Sequence, residues 1–168
     1  MPTDKNLVEL FRHIGYDILK NSSKDPKNKD LFFTNLILGY RDDEKFSGNF
    51  NRTWLNETTK GFFKKTVEIL DPIVIMCLGR KTYEGVLSAF GVKSEETIKS
   101  YNKFLDSGEN YQDIVCEGKT IRIFALAHCG GMGTTNRNHS KLYDKNVDSR
   151  LTIQKNDWER VIAYISKI

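Results

Sequence analysis

Three short polar segments of this sequence carry side chains that could do chemistry, and each adjoins an apolar run. The segments are Thr34-Asn35 near the end of the run 31–37, Gly79-Arg80-Lys81 after the run 73–78, and His-Cys-Gly-Gly-Met-Gly-Thr-Thr-Asn-Arg (128–137) after the run 121–127. Loops that leave a rigid apolar scaffold are the usual place for binding and catalytic groups. These segments are therefore the candidates for a functional site.

Each segment suits a different contact, and each also has a purely structural alternative. The amide of Asn35 offers a donor and an acceptor, which suits it to read the edge of a base, although it could equally bond a neighbouring loop. Backbone amides of a helix that begins after Gly79 can hold a phosphate, or the glycine can serve the turn alone. His128 could be a structural histidine whose hydrogen bonds are satisfied within the protein. However, histidine exchanges a proton readily near neutral pH, and His128 precedes glycines that let the backbone approach a ligand, which favours a functional role.

Apolar periodicity predicts the elements that position these segments. Predicted helices cover 7–18, 56–70, 80–90, 94–105 and 156–165, and predicted strands cover 31–37, 73–78, 111–115 and 121–127. Asp71-Pro72 ends the second helix, a tight turn at Glu117-Gly118-Lys119 joins the last two strands, and Asn156 with Glu159 caps the last helix. Residues 128–148 lack periodicity and are expected to form a long loop.

Strands that alternate with helices predict an α/β fold, as one domain over residues 1–168. The expected architecture is a three-layer αβα sandwich with a central, mostly parallel sheet. Ligands bind such sheets beyond the carboxyl ends of the strands. The three segments are therefore expected at one edge of the sheet, with the side chains of Asn35 and His128 facing a shared cavity.

Composition limits the class of protein. Hydrophobic residues make up 39% and charged residues 29%, which is typical of a folded cytosolic chain, and a net charge of +4 permits nucleic-acid binding without demonstrating it. Three cysteines are too few for a disulfide framework or a four-cysteine cluster, and Cys77 is expected to be a buried small hydrophobe. No apolar run reaches the roughly eighteen residues of a membrane span. We expect a cytoplasmic protein with no metal, no cofactor and no membrane partner, and the oligomeric state stays open.

Three segments, in order, resemble the uracil-DNA glycosylase superfamily. Leu-Phe-Phe-Thr-Asn-Leu-Ile-Leu-Gly (31–39) is similar to the family's apolar strand that ends in the asparagine reading uracil. Glu-Ile-Leu-Asp-Pro-Ile-Val-Ile-Met-Cys-Leu-Gly-Arg (68–80) resembles its core of helix, proline, apolar strand and Leu-Gly. Ala-Leu-Ala-His (125–128), with the glycine-rich loop that follows, resembles the strand that delivers the catalytic histidine and the minor-groove loop.

The resemblance implies a bacterial-type DNA glycosylase, associated with the nucleoid if active, whose partner is DNA containing a damaged base. It would flip uracil or a related base out of the duplex and hydrolyse the glycosidic bond without a cofactor. His128 would be catalytic, donating a hydrogen bond to the base oxygen on which charge accumulates, while Thr34 and Asn35 bind the base. Met132 would wedge into the vacated stack. The other implied contacts are a DNA-binding loop of Gly130, Gly131, Met132, Gly133, Thr134 and Arg137, with Gly79, Lys81 and Arg137 near phosphates.

Two departures from the family pattern keep other functions open. The family's first motif, a strand and a Gly- and Pro-containing loop that supplies the water-activating acid, has no counterpart before Leu31, and Cys129 stands where many relatives have proline. The chain either begins after that motif or has lost the acid. The alternatives are a catalytically impaired DNA- or nucleobase-binding protein of the same fold and an unrelated hydrolase using Cys129 with His128. The hydrolase is disfavoured, since adjacent residues of a strand point to opposite faces.

Overall fold

The computed structural model describes residues 2–20, 25–36, 53, 57–92 and 100–168. Within these ranges the chain forms three strands and six α-helices. The strands are β1 (Val74–Leu78), β2 (Tyr111–Cys116) and β3 (Lys119–Leu126). The helices are α1 (Pro2–His13), α2 (Lys64–Leu70), α3 (Arg80–Ala89), α4 (Tyr101–Asp106), α5 (Gly131–Arg137) and α6 (Thr152–Ile165), with a 3-10 helix at Pro26–Asp30 and a π-helical turn at Thr58–Phe63.

The three strands form one mixed sheet in the order β1-β3-β2. β1 runs parallel to β3, with Leu78 opposite Leu126, and β2 pairs antiparallel with β3, with Tyr111 opposite Phe124. The predicted α/β class is confirmed. The expectation of a mostly parallel sheet does not hold for the described strands, because one of their two pairings is a hairpin and hairpin strands are antiparallel.

Side chains of β3 alternate between two buried clusters, one on each face of the sheet. Ile121, Ile123 and Ala125 belong to the first cluster, and Phe124 and Leu126 belong to the second. The first cluster also contains Val67 of α2, Tyr83, Val86 and Leu87 of α3, and Leu105 of α4. The second contains Leu10 and Phe11 of α1 and Trp158 and Val161 of α6. Helices therefore cover both faces of the strand that carries the candidate site.

Turn residues end the elements where the sequence predicts. Asp71 takes a left-handed conformation (φ 47°) and ends α2 before Pro72. Glu117 (φ 47°) and Gly118 (φ 78°) both have positive φ, as a tight two-residue hairpin turn of type I′ requires. Gly79 (φ 104°) turns the chain from β1 into α3, and its N–H donates to the carbonyl of Leu126 at 2.7 Å. That bond ties the start of α3 to the end of β3.

The strand predicted over 31–37 is wrong for the described residues 31–36, which form no strand. Phe32 and Phe33 are 59% and 54% exposed, and Phe33 meets Phe11 edge to face at 5.3 Å. Leu31 packs against the cluster of α1 and α6, whereas Leu36 packs against the other cluster. The apolar run thus passes from one face of the sheet to the other and anchors on both, instead of pairing with a strand.

Several further elements differ from prediction, and the first helix spans Pro2–His13 instead of 7–18. The last helix begins at Thr152, one turn before the predicted cap at Asn156, because buried Leu151 and Ile153 anchor an extra turn. The predicted loop at 128–148 contains α5, whose buried Thr134 packs inward. Of the helix predicted over 94–105, α4 accounts for the end, while residues 93–99 lie outside the described part of the chain, as does Ile37.

Candidate functional site

β1 and β3 end side by side, and the segments that leave them enclose a cleft of about 380 Å³. α3, α4 and α5 supply its walls. The lining residues are Gly79, Arg80, Tyr101, Asn102, Ala127, His128, Gly133, Asn136 and Arg137. The cleft lies beyond the carboxyl ends of the parallel pair, where ligands bind α/β sheets. Two of the three predicted segments, at 79–81 and 128–137, contribute to it.

His128 lies two residues after the end of β3 and is exposed in this cleft. The backbone N–H of Gly130 donates a hydrogen bond to its Nδ1 atom at 3.0 Å. Because Nδ1 accepts this bond, a neutral imidazole carries its proton on Nε2. The ring can therefore present an N–H donor to a ligand.

The backbone of His128 is held from three directions. Gln154 of α6 donates from Nε2 to the His128 carbonyl at 3.3 Å, and Asn6 of α1 donates from Nδ2 to the Cys129 carbonyl at 2.7 Å. α5 passes so close that a Cβ at Gly133 would collide with the carbonyl oxygen and Cβ of His128. The imidazole therefore projects from a fixed segment rather than from a loose loop.

Tyr101 and Asn102, at the start of α4, form another wall of the cleft. The Tyr101 hydroxyl donates to the Leu126 carbonyl at 2.9 Å, and burial raises the pKa of this hydroxyl, so it stays protonated as a donor. Asn102 donates from Nδ2 to the Asn136 carbonyl at 2.6 Å, which joins α4 to α5. Asn102 and Asn136 thus both line the cleft that contains His128.

Arg137 is buried, and this corrects the prediction that it contacts phosphate. Its Nε and Nη2 atoms donate to Asp157 at 2.7 and 2.9 Å, and Nη1 donates to Asp106 at 2.7 Å. Burial raises the pKa of the Asp157 carboxyl, and the Arg137 guanidinium counteracts that rise. Since the arginine side chain is 0% exposed, it joins α4, α5 and α6 beneath the cleft and cannot reach DNA.

Thr34 and Asn35 are exposed and do not line the His128 cleft. The Thr34 hydroxyl donates to the Asn35 carbonyl at 3.2 Å. The shared cavity expected for Asn35 and His128 is therefore not formed by the described residues. The cause is the missing strand at 31–36, which would have delivered the amide to the same edge of the sheet.

The remaining predicted contacts are divided between surface and interior. Gly79 cannot offer its N–H to a phosphate, because Leu126 accepts it, while Lys81 is exposed on α3. The expected DNA-binding loop is mostly α5: Met132 is 83% exposed there, but Thr134 is fully buried. Gly130 and Gly131 precede Met132 at the start of this helix.

Cys129 belongs to the interior on the opposite side from His128. It is 2% exposed, packs in the cluster of α1 and α6, and burial raises the pKa of its thiol. A protonated thiol that points away from the imidazole cannot serve as its nucleophile. The structure thus removes the hydrolase alternative, and it confirms Cys77 as a buried small hydrophobe, 1% exposed.

Sequence reasoning assigned no role to several lining residues, among them Tyr101, Asn102 and Asn136. Asn136 lies within the segment 128–137, so its membership in that segment was the available signal. Tyr101 and Asn102 carry no such signal, because polar side chains in a helix are usually solvated.

A larger opening of about 460 Å³ lies at the other end of α3, lined by Lys60, Lys64 and residues 88–91. It contains neither histidine nor carboxylate. No group of three His, Cys, Asp or Glu residues in the described part of the chain could hold a metal ion. No helix within the described ranges is long and apolar enough to cross a membrane.

No protein-family model, no curated protein and no solved structure matches this chain. A functional assignment therefore depends on the cleft and its side chains.

Proposed function

We propose that this chain is a DNA glycosylase-type base-excision protein with a uracil-DNA glycosylase-like αβα fold, which receives a flipped uracil or related damaged base in the His128 cleft. The observation that carries the proposal is the position of His128, at the carboxyl end of the central strand and in a cleft of about 380 Å³. A damaged base must leave the stack before its glycosidic bond can be reached, and this cleft offers it a receiving site.

The chemistry assigned to His128 is electrostatic. Breaking the glycosidic bond leaves negative charge on the departing base, and the Nε2–H group would donate a hydrogen bond to the oxygen that bears it. The Gly130 N–H on Nδ1 keeps the ring in the tautomer and orientation that this donation needs. Removing one such preorganised donor typically lowers kcat by about 10²–10³-fold.

Base selection is assigned to Asn102 and Asn136 in place of Asn35. The Nδ2 atom of Asn102 is already bonded to the Asn136 carbonyl, so its side-chain oxygen remains to accept from a base. Uracil carries a ring N–H that cytosine lacks. An acceptor such as the Asn102 side-chain oxygen therefore favours uracil over cytosine. Met132, 83% exposed on the neighbouring helix, retains its role as a wedge into the base stack.

A second candidate is a protein of the same fold that binds the base without cleaving DNA. A specific observation favours it: no aspartate or glutamate is among the described residues that line the cleft. Hydrolysis needs a group that activates water, and a carboxylate is the usual one in such an enzyme. Both candidates use the same cleft and differ in turnover.

Excision from a duplex oligonucleotide with a single uracil tests both candidates. We expect abasic sites with the wild-type chain, a loss of about 10²–10³-fold with His128→Ala, and no change with His139→Ala, an exposed histidine outside the cleft. Uracil-dependent binding without abasic sites would favour the second candidate. A chain that shows neither excision nor uracil-dependent binding would contradict both candidates.

A further inference from the structure

The described arginines differ in how their guanidinium groups are used. Five of them donate to oxygen atoms of neighbouring residues: Arg12 to Asp17, Arg80 to Glu84, Arg122 to Asp113, Arg137 to Asp106 and Asp157, and Arg160 to the Leu105 carbonyl. Arg150 is the sixth, and within the described residues its exposed guanidinium has no ion-pair or hydrogen-bond partner. Its five N–H donors are therefore available to a ligand.

Arg150 lies beside the segment that orients His128. Its Nη2 atom is 3.8 Å from the position that a Cβ would take at Gly131. The corresponding position at Gly130 is 2.9 Å from His128 Nδ1. Arg150 and His128 thus lie on either side of the same two glycines, with Arg150 on the outer surface and His128 in the cleft.

The backbone of Arg150 is fixed by its neighbours. Asn138 donates from Nδ2 to the Arg150 carbonyl at 3.1 Å, and the next residue, Leu151, is 4% exposed in the core. The nearest acidic residues in sequence are engaged locally: Asp148 accepts the N–H of Asp144 at 2.8 Å, and Asp144 accepts the N–H of Asn146 at 2.9 Å. A positioned cation is therefore left facing solvent at the rim of the His128 segment.

We propose that Arg150 binds a backbone phosphate of the nucleic acid whose base occupies the His128 cleft. This inference rests on the proposed function, because it takes the base to lie against His128 and the phosphate to lie outside Gly130 and Gly131. The planar guanidinium fork matches phosphate oxygens and holds them through two parallel hydrogen bonds. Arg150 takes the place that the sequence assigned to Arg137.

Salt-dependent DNA binding tests the inference. We measure the Kd of the uracil duplex, and of the same duplex with thymine, over a range of NaCl for the wild type, Arg150→Gln and Arg12→Gln. Arg12→Gln is the matched control, because it removes the same charge far from Gly130. Thr3 of α1 lies beside Gly130, and Arg12 follows Thr3 by nine residues, which is about 14 Å along the helix.

Arg150→Gln is expected to weaken binding of both duplexes by about tenfold at low salt. The slope of log Kd against log salt should fall by about 1, since one phosphate contact is lost. The two duplexes should lose affinity by the same factor, because phosphates carry no base identity. Arg150→Lys should recover part of the affinity by restoring the charge without the fork, and Arg12→Gln should match the wild type.

An unchanged slope in Arg150→Gln, with wild-type DNA binding intact, would overturn the phosphate contact and leave the proposed function standing. A wild-type chain that binds neither duplex would overturn both. A further measurement is the binding of inorganic phosphate to the wild type and to Arg150→Gln, without DNA. Arg150-dependent binding of free phosphate that displaces no DNA would assign the residue to a small anion and overturn the nucleic-acid contact.

Discussion

His128 depends on neighbours that have no side chain. Gly130 donates its N–H to the imidazole, and Gly133 lets α5 cross against the His128 backbone. The atoms that a Gly133 side chain would meet belong to the backbone and Cβ of His128, so they cannot move aside without moving the imidazole. The position of the histidine thus depends on two residues that contribute no side chain to the cleft.

Replacing Gly133 by alanine is expected to lower the free energy of unfolding by about 1–3 kcal/mol, as forced overpacking does. Gly131→Ala is the control in the same helix, because its methyl group would meet only Arg150 Nη2, at 3.8 Å. That variant should be as stable as the wild type, or up to about 1 kcal/mol more stable, since alanine favours helix. Urea unfolding measures both variants, and equal stabilities would contradict the close approach.

Arg137 is expected to matter for stability more than for DNA contact. Arg137→Met removes both hydrogen bonds to the buried carboxylate of Asp157 and leaves it only the longer ion pair with Arg160, at 3.6 Å. This change should cost about 3–5 kcal/mol. Arg12→Met removes an ion pair whose arginine side chain is 54% exposed, and should cost no more than about 1 kcal/mol. Adding Asp157→Leu to Arg137→Met should restore much of the stability; a double variant as weak as the sum of the single ones would argue against a coupled pair.

Single residues were predictable where the chemistry is local. A histidine after an apolar run identified His128 as a cleft residue. Arg137 was misassigned because its partner, Asp157, lies twenty residues away, and the sequence does not show whether an arginine meets a carboxylate or solvent. Asn35 was misassigned for a related reason, since its role depended on a strand that does not form.

At the scale of elements, the hairpin of β2 and β3 contains a directly opposed charge pair, Asp113 and Arg122. Arg122 donates from Nε and Nη2 to the two carboxylate oxygens at 2.7 and 2.6 Å. Its guanidinium also lies over the rings of Tyr111 and Tyr164, 3.9 and 4.1 Å from their centroids. Hydrogen bonds from Arg122 lower the pKa of the Asp113 carboxyl. The pair thus joins β2, β3 and α6.

A lowered pKa in the folded state makes this contribution pH-dependent. The carboxylate stabilises the fold above the pKa of the unfolded chain, and the stabilisation is lost as pH falls through the lower, folded pKa. Asp113→Asn should therefore be less stable than the wild type at neutral pH, and the difference should shrink from about pH 5 to about pH 2. Urea midpoints of both proteins over this range provide the check, and a constant difference would contradict the ion pair.

α5 shows why one element could not be predicted. Five of the seven residues in its sequence, Gly-Met-Gly-Thr-Thr-Asn-Arg, have poor helix propensity. The helix is held by tertiary contacts instead: buried Thr134 and Arg137 face inward, and Asn6 of α1 bonds the segment before it. No local pattern in 128–148 reports those partners. The hairpin, in contrast, was predictable because Glu117-Gly118 encodes its own turn.

For the whole molecule, the α/β class and the edge of the sheet that carries the cleft followed from the order of apolar runs. The run 73–78 and the run 121–127 do pair in parallel, and the cleft opens beyond their ends. The run 31–37 is also mostly apolar, yet residues 31–36 lie across the two core clusters. Hydrophobicity reports burial and not hydrogen-bond pairing, so it could not separate these cases.

The ion pairs of Arg137 with Asp106 and Asp157 determine when the cleft forms during synthesis. The three helices that they join contribute Asp106, Arg137 and Asp157, so the last wall of the cleft is secured only when α6 docks. A nascent chain whose α6 is still inside the ribosomal tunnel has the histidine and both parallel strands, but its arginine lacks one carboxylate. Docking of α6 is therefore the step that completes the wall of the cleft.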